Sequence, residues 1–353
     1  LKKVSSEFKL KVLVMKKAFT IFTLVLCSFQ SLKINAQIDT LFWFAAPWTS
    51  PDHTWRDPIK LHISGEPATY VHVYQPAAIA PNRYDTTFFI PASGLFDYTF
   101  WRDAGASPTN RGYDSLECRP ANTVLPYGIK ISASFNVTVV YDQITRQPTF
   151  YNPETFSLKG QNALGTNFIC PAQTSWLNQT LASDLNGDAT VTQPRQQINI
   201  VSTQSNTIVW ITPKCNIVGH SANVTYSIMM NLGDVYTLEN VTNLTSTAGN
   251  NLSGTSITSN NPIAVTYGDD SVRNPGGGCY DFIGDQIVPV ENLGNEYIAN
   301  MGFMYPASGE SVYFVGTDTL TQVTVTDIGV TTYTLNKGVT QRHLITQPLT
   351  YIN

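Results

Sequence analysis

Nucleophilic catalysis by serine needs a base within hydrogen-bond reach, and its clearest sequence sign is a Gly-x-Ser-x-Gly elbow. None occurs in the 353 residues. The nearest serine-bearing turns, Pro91-Ala-Ser93-Gly94 and Pro306-Ala-Ser308-Gly309, read as loops. Five histidines are scattered along the chain. His62 and His72 alternate with Leu61, Ile63, Val71 and Val73, which puts them on the solvent side of strands. His53, His220 and His343 have no acid at a suggestive spacing. Carboxylate pairs for glycoside cleavage come from distant segments and leave no local motif. Asp57, Glu66, Asp97, Asp103 and Asp114 qualify only as acids near aromatics. The expectation is that this chain is not an enzyme. The alternative is a carbohydrate-active enzyme or its carbohydrate-binding β-sandwich module.

Asp184-Leu-Asn186-Gly-Asp188-Ala-Thr190 offers oxygens at alternate positions, as the front of a calcium loop does. The twelfth position should be an acid and is Arg195, so an Asx/Gly turn is the favoured reading. No cofactor is expected, with calcium at Asp184, Asn186 and Asp188 as the one alternative. Cys118, Cys170, Cys215 and Cys279 show no C-x-x-C or C-x-H spacing that would bring zinc ligands together. Aromatic faces stack on sugar rings or anchor protein partners. Trp43 lies in a strand pattern and reads as core. Trp48 and Trp55, in the Pro/Asp/His-rich stretch 47–58, and Trp101 are the candidate binding residues.

Composition narrows the partners. Residues 1–36 hold seven of the 21 basic side chains and one of the 25 acidic ones, leaving 14 basic against 24 acidic. Phosphate affinity rests on dense Lys and Arg, so nucleic acid is not an expected partner. The remaining candidates are an extracellular protein or a glycan. Met15-Lys16-Lys17, the apolar run from Ala18 to Phe29 and the small Ala36 have the three parts of a secretory signal. About a dozen apolar residues are too few to span a bilayer, and no second long apolar stretch follows. The expectation is export, to the medium or the cell surface, with no transmembrane span.

These residues must be positioned by strands. Period-2 alternation recurs at Tyr70–Tyr74, Ile198–Val201, Thr207–Thr212 and Thr321–Thr326, punctuated by Asn, Asp, Gly and Pro. The chain also repeats itself. Gly128-Ile-Lys-Ile-Ser-Ala-Ser-Phe-Asn-Val-Thr-Val-Val-Tyr141 aligns without a gap on Gly254-Thr-Ser-Ile-Thr-Ser-Asn-Asn-Pro-Ile-Ala-Val-Thr-Tyr267, an offset of 126. That offset also carries Phe42-Trp43-Phe44 onto Phe168-Ile169-Cys170. Ile198–Thr212 matches Val312–Thr326 at an offset of 114, with Ile59–Val73 as the counterpart in the first unit. The expected fold is all-β: tandem β-sandwich-like repeat units, the last incomplete. The expected division is 1–36 upstream residues and signal, 37–155 and 156–292 complete units, and 293–353 a unit that stops before any counterpart of 254–267. The chain reads as a segment of a larger protein.

Gly276-Gly-Gly-Cys-Tyr-Asp-Phe-Ile-Gly-Asp-Gln-Ile-Val-Pro-Val-Glu-Asn-Leu-Gly-Asn-Glu-Tyr-Ile298 resembles the IgGFc-binding protein N-terminal domain family. So do Leu252–Val265 and the hairpin Ser205–Ile211. Cys279, Asp281, Gln286, Pro289, Gly294 and Tyr297 occupy the family's Gly-Cys-Asp, Gln, Pro and Gly-x-x-Tyr places, with Tyr280 inserted after the cysteine. The resemblance implies a non-catalytic extracellular binding or adhesion module of a larger bacterial secreted or surface protein. Immunoglobulin binding does not follow from a shared fold.

Four exported cysteines allow three pairings. Cys170 and Cys215 occur together in the second unit, while their counterparts in the first (Phe44, near Ala77) and third (Ala299, near Gly329) are not cysteine. A Cys170–Cys215 disulfide is therefore expected.

Overall fold

Alternating Val, Ile, Thr and Tyr put apolar side chains on one face of each segment, and such segments bury that face by pairing into sheets. The computed structural model describes residues 37–49, 59–80, 83–100, 116–143, 154–179, 193–242, 250–273, 280–302 and 309–353. Among these there is no α-helix, and the all-β class read from the sequence is observed. Gln37–Asn353 pack as one body.

The first repeat comprises β1 (Asp39–Phe44), β2 (Ile59–Gly65), β3 (Tyr70–Tyr74), β4 (Asp85–Phe89), β5 (Leu95–Thr99), β6 (Val124–Leu125), β7 (Ile129–Gln143) and β8 (Glu154–Ser157). The second comprises β9 (Gly165–Cys170), β10 (Gln196–Ser202), β11 (Thr207–Thr212), β12 (Tyr226–Met230), β13 (Val235–Glu239), β14 (Thr255–Arg273) and β15 (Tyr280–Ile287). Then follow β16 (Tyr297–Asn300), β17 (Glu310–Val315), β18 (Thr321–Thr326), β19 (Val330–Leu335), β20 (Thr340–Ile345) and β21 (Leu349–Ile352).

One long strand organises each repeat. The first half of β7 pairs with β1 and β3, and its second half with β2 and β8. Edge strands β4 and β5 flank β3 and β2. Two four-stranded sheets, β4-β3-β7-β1 and β5-β2-β7-β8, thus share one strand and curl around one core. That core holds Phe42, Phe44, Leu61, Ile63, Val71, Val73, Ile129, Ile131, Val139 and Tyr141. The second repeat has the same plan: β12-β11-β14-β9 and β13-β10-β14-β15. The registers agree residue by residue. Phe44 faces Ile129 as Cys170 faces Thr255, and Phe42 faces Ile131 as Phe168 faces Ile257, the 126-residue offset of the sequence. For the hairpin, Leu61 rather than Ile59 is the counterpart of Ile198, since both face the closing tyrosine, Tyr141 or Tyr267. β8 carries the first repeat to Ser157.

The third repeat corrects one expectation. Its order β16-β21-β18-β19 reproduces β9-β14-β11-β12. Ile352 faces both Tyr297 and Val325, as Ile257 faces Phe168 and Ile211. So β21 is the opening of the third long strand, whereas the sequence comparison placed the end of the chain before any such counterpart. A four-residue strand has too little alternation to be recognised.

Neighbouring repeats are knitted in one recurring way. β6 of the first repeat pairs with β13 of the second. Trp43, Ala45 and Cys118 form a shared buried cluster with Val201, Val235 and Ala264. Gly128 N–H donates to Gly233 O at 3.0 Å, and the equivalent Gly254 and Gly338 come together so closely that a Cβ on Gly254 would strike the Gly338 carbonyl. Gly254 also holds φ +88°, in the left-handed region. Gly254→Ala is therefore expected to cost about 1–3 kcal/mol in urea unfolding, the scale of a non-glycine residue forced into that region. Gly294→Ala, whose new methyl would meet nothing nearer than 3.8 Å, should shift stability by under about 0.5 kcal/mol. Equal effects at the two positions would contradict the packing described.

Candidate binding surface

The sandwich plan leaves β4 and β12 as edges, and the alternation of their hairpins decides what they display. In β11, Val209 and Ile211 point into the core, so Ile208 and Trp210 point out. Ile208 stands directly opposite Met229, and Trp210 opposite Ser227. Trp210 is 40% exposed and Met229 65%. The first repeat does the same at the equivalent place: Tyr70 faces Phe89 across β3 and β4, their rings 5.5 Å apart and edge-on. Both are exposed. An exposed Trp and Met, or two aromatics, at the paired positions of an edge hairpin are residue types enriched in protein interfaces.

Farther along the first face, His72 stacks on Tyr74 at 4.1 Å and bonds Asp85 Oδ1 through Nε2 at 2.7 Å. Arg83 also pairs with Asp85. Burial and the positive charges of Arg83 and Lys130 hold the His72 pKa below its ordinary value. The patch is thus apolar and aromatic at one end and ionic at the other.

The residues that sequence analysis nominated behave differently. Trp48 is 2% exposed, so it is not an open platform as expected. The Arg119 guanidinium covers its ring at 4.3 Å, and its backbone is clasped by the Gln197 side chain of the second repeat. It is the Trp48 main chain that joins the repeats, while the ring is covered within the first. Trp55, Trp101, Asp184, Asn186 and Asp188 lie outside the described residues. Cys170 and Cys215 belong to one buried cluster but are free thiols, which corrects the expected disulfide. Cys170 faces Thr255 in the ladder, while Lys214 N–H bonds the Thr255 hydroxyl at 3.2 Å. Both thiols fill core space as small hydrophobes. Burial pushes both pKa values up, that of Cys215 to about 12, so neither is a reactive thiolate.

Two histidines have partners that the sequence spacing hid. His343 accepts or donates at both ring nitrogens, with the Tyr333 hydroxyl at 2.8 Å and Asp327 Oδ2 at 3.1 Å. His62 sits between Asp97 Oδ1 at 2.7 Å and Asp142 Oδ2 at 2.8 Å. Asp269 is a densely bonded carboxylate. It accepts from Gln173 Nε2, Gln196 Nε2, Asn178 Nδ2 and the Tyr267 hydroxyl at 2.6–3.0 Å. It is fully buried, and burial raises its pKa against the pull of those four donors. Closed off from solvent, it straps the Gln173–Asn178 loop to β14.

Comparison with known families settles the classification. Residues 154–353, more than half of the chain, match the family model described as IgGFc binding protein. The chain belongs to that family. No curated protein and no solved structure matches it. The IgGFc-binding family is one of binding domains rather than enzymes, and is extracellular in general. Among the described residues no helix is long and apolar enough to cross a membrane. Four of the family positions, Gln286, Pro289, Gly294 and Tyr297, make scaffold contacts, while Cys279 lies outside the described residues. Gln286 donates to Trp43 O at 2.8 Å and accepts from Lys159 N–H at 2.6 Å, tying β15 to the first repeat. Pro289 packs on Gly165, and the Tyr297 hydroxyl bonds Gly294 O at 2.6 Å.

The surface hairpins Tyr70/Phe89 and Ile208/Trp210/Met229 were missed in the sequence, although strict alternation within Thr207–Thr212 already put Trp210 opposite the core face.

The His62 geometry yields a pH test. A ring facing a carboxylate at each nitrogen must donate from both, which only the imidazolium can do. Burial of the ring opposes the charge, but the bonds to Asp142 and Asp97 and their negative charges outweigh it and raise the pKa above 6.5. Its stabilising effect is complete below the unfolded pKa of 6.5 and is lost as pH rises through the higher folded value. NMR titration should place the His62 midpoint above 6.5, and His62→Gln should remove that component of the pH dependence of stability. A midpoint below 6.5 would refute the clamp.

Proposed function

We propose that this protein is a non-catalytic adhesion or binding module of a larger secreted or cell-surface bacterial protein, and that it grips an extracellular protein through the outer faces of its edge hairpins. The observation that carries this reading is the exposed Ile208, Trp210 and Met229 cluster on β11 and β12, repeated in kind by Tyr70 and Phe89 on β3 and β4. Sheet faces normally alternate apolar-in and polar-out, so an edge hairpin that breaks the pattern at the same place twice suits a partner. Membership of a binding family, the acidic balance after residue 36 and the secretory pattern at Met15–Ala36 support the same reading. With Trp48 buried, no observation favours the glycan-cleaving alternative.

The test is surface-immobilised binding of the full chain against a panel of extracellular proteins, including the immunoglobulin Fc region that the family description names. Trp210→Ser combined with Met229→Ser should weaken binding to any captured partner at least tenfold, about 1.4 kcal/mol or more, as hot-spot removal does. The thermal midpoint should stay within a few degrees, since both side chains are outside the core. Unchanged affinity in that folded variant would place the binding site elsewhere.

A further inference from the structure

Lysine is seldom buried, and the chain after residue 36 has only five of them. One, Lys159, is tied down at both ends. Its main-chain N–H donates to Gln286 Oε1 at 2.6 Å, and its Nζ meets Asp285 Oδ1. The side chain is 15% exposed. Lys159 stands just after β8, while Asp285 and Gln286 are neighbours on β15, so the contact crosses from the end of the first repeat to the second. Two consecutive residues of one strand thus fix both the base and the tip of the lysine. The amine is held against a carboxyl instead of swinging in solvent.

A second carboxyl completes the group. Glu154 opens β8, is half-buried, and accepts from the main-chain N–H of Gly284, next in the chain to Asp285. Burial and the negative charges of Asp285 and Asp281 push its pKa up to about 7. Near neutral pH such a group both takes and gives a proton. The seam also has an apolar wall. A Cβ on Gly284 would lie 2.6 Å from the Phe282 ring and 3.2 Å from the Phe156 ring. A primary amine, an acid and a carboxyl able to relay protons are the groups that amide formation needs.

We infer that Lys159 and Asp285 become joined by an isopeptide bond, a covalent cross-link across the β8–β15 seam whose formation Glu154 promotes. The Glu154 carboxylate takes a proton from the Lys159 ammonium, and the freed Nζ lone pair attacks Asp285 Cγ. Two protons leave the nitrogen in all, one of them by way of Glu154, and both end on one Asp285 oxygen, which departs as water. A C–N bond forms, a C–O bond breaks, and nothing is oxidised or reduced. The Asp285 side chain is 59% exposed, so the water leaves to solvent. Joining a free amine to a free acid is unfavourable in dilute solution. Holding the two in contact corresponds to an effective molarity of about 10⁵–10⁸ M. An ion pair this open adds little to stability, whereas a covalent bond at the same place locks the seam. This inference is independent of the hairpin faces on β3, β4, β11 and β12.

The test begins with the unaltered full chain, folded and then denatured for mass spectrometry. It should weigh about 18 Da less than its sequence requires, the mass of one water. Trypsin should fail to cut after Lys159, and residues 147–195 and 274–337 should emerge as one joined peptide. Lys159→Arg keeps the ion pair but has no primary amine, so it should show the full mass and a lower thermal midpoint. Glu154→Gln should form the bond at least tenfold more slowly, the loss expected of a missing proton relay. Full mass in the unaltered protein with trypsin cutting at Lys159 would overturn the inference. So would a deficit of about 18 Da that persists in Lys159→Arg. Bond formation at an unchanged rate in Glu154→Gln would overturn the part assigned to Glu154.

Discussion

Everything in this fold depends on a single strand being shared by two sheets. β7 and β14 run 15 and 19 residues, about three times the usual strand length. Each spends its first half in one sheet and its second half in the other, so one continuous backbone closes the sandwich. The pairing explains why Phe42, Leu61, Val71 and Tyr141, from four separate strands, meet in one core. In the third repeat β21 joins β16 and β18 in one sheet, and β17 pairs with β20 in another.

The repeats do not stand as beads. A turn from one repeat seats on the glycine that starts the long strand of the one before, at Gly128 with Gly233 and again at Gly254 with Gly338. Trp43 packs at this junction, and Trp48, a binding candidate by sequence, meets the second repeat there through its main chain. Gln286 spans it as well, its Nε2 donating to Trp43 O of the first repeat and its Oε1 accepting from Lys159 N–H in the connection that follows. The family signature thus describes how repeats are built and joined. The outer faces of the edge hairpins are what Gln286, Pro289, Gly294 and Tyr297 leave free, and the proposed binding surface lies there.

Much of this architecture was legible because its strongest constraints are local. The gapless match from Gly128 to Tyr141 marks a strand that must begin at a close backbone approach and end at a buried tyrosine, so its residue types are fixed along the whole length. Alternation separated core from surface correctly at His62, His72 and Trp43. The parts that were not legible depend on long-range meetings. His62 is clamped by Asp97 and Asp142 from strands 35 and 80 residues away, and Asp269 draws Gln173 and Gln196 from 96 and 73 residues away. The cysteine comparison puts Cys170 and Cys215 in one unit, which they share, but co-occurrence in a unit does not make a bond, and both are free thiols in the core. Trp48 misled because Pro and Asp neighbours suggest an open loop, while its ring lies under Arg119.

Sharing one strand between two sheets makes the second halves of β7 and β14 the most stable part of the first two repeats. Native-state hydrogen exchange measures this directly, since amides that open only on global unfolding report the core of a fold. The slowest exchange should fall on Val137–Tyr141 of β7 and Ile263–Tyr267 of β14. Maximal protection outside β7 and β14 would contradict the central role given to the shared strand.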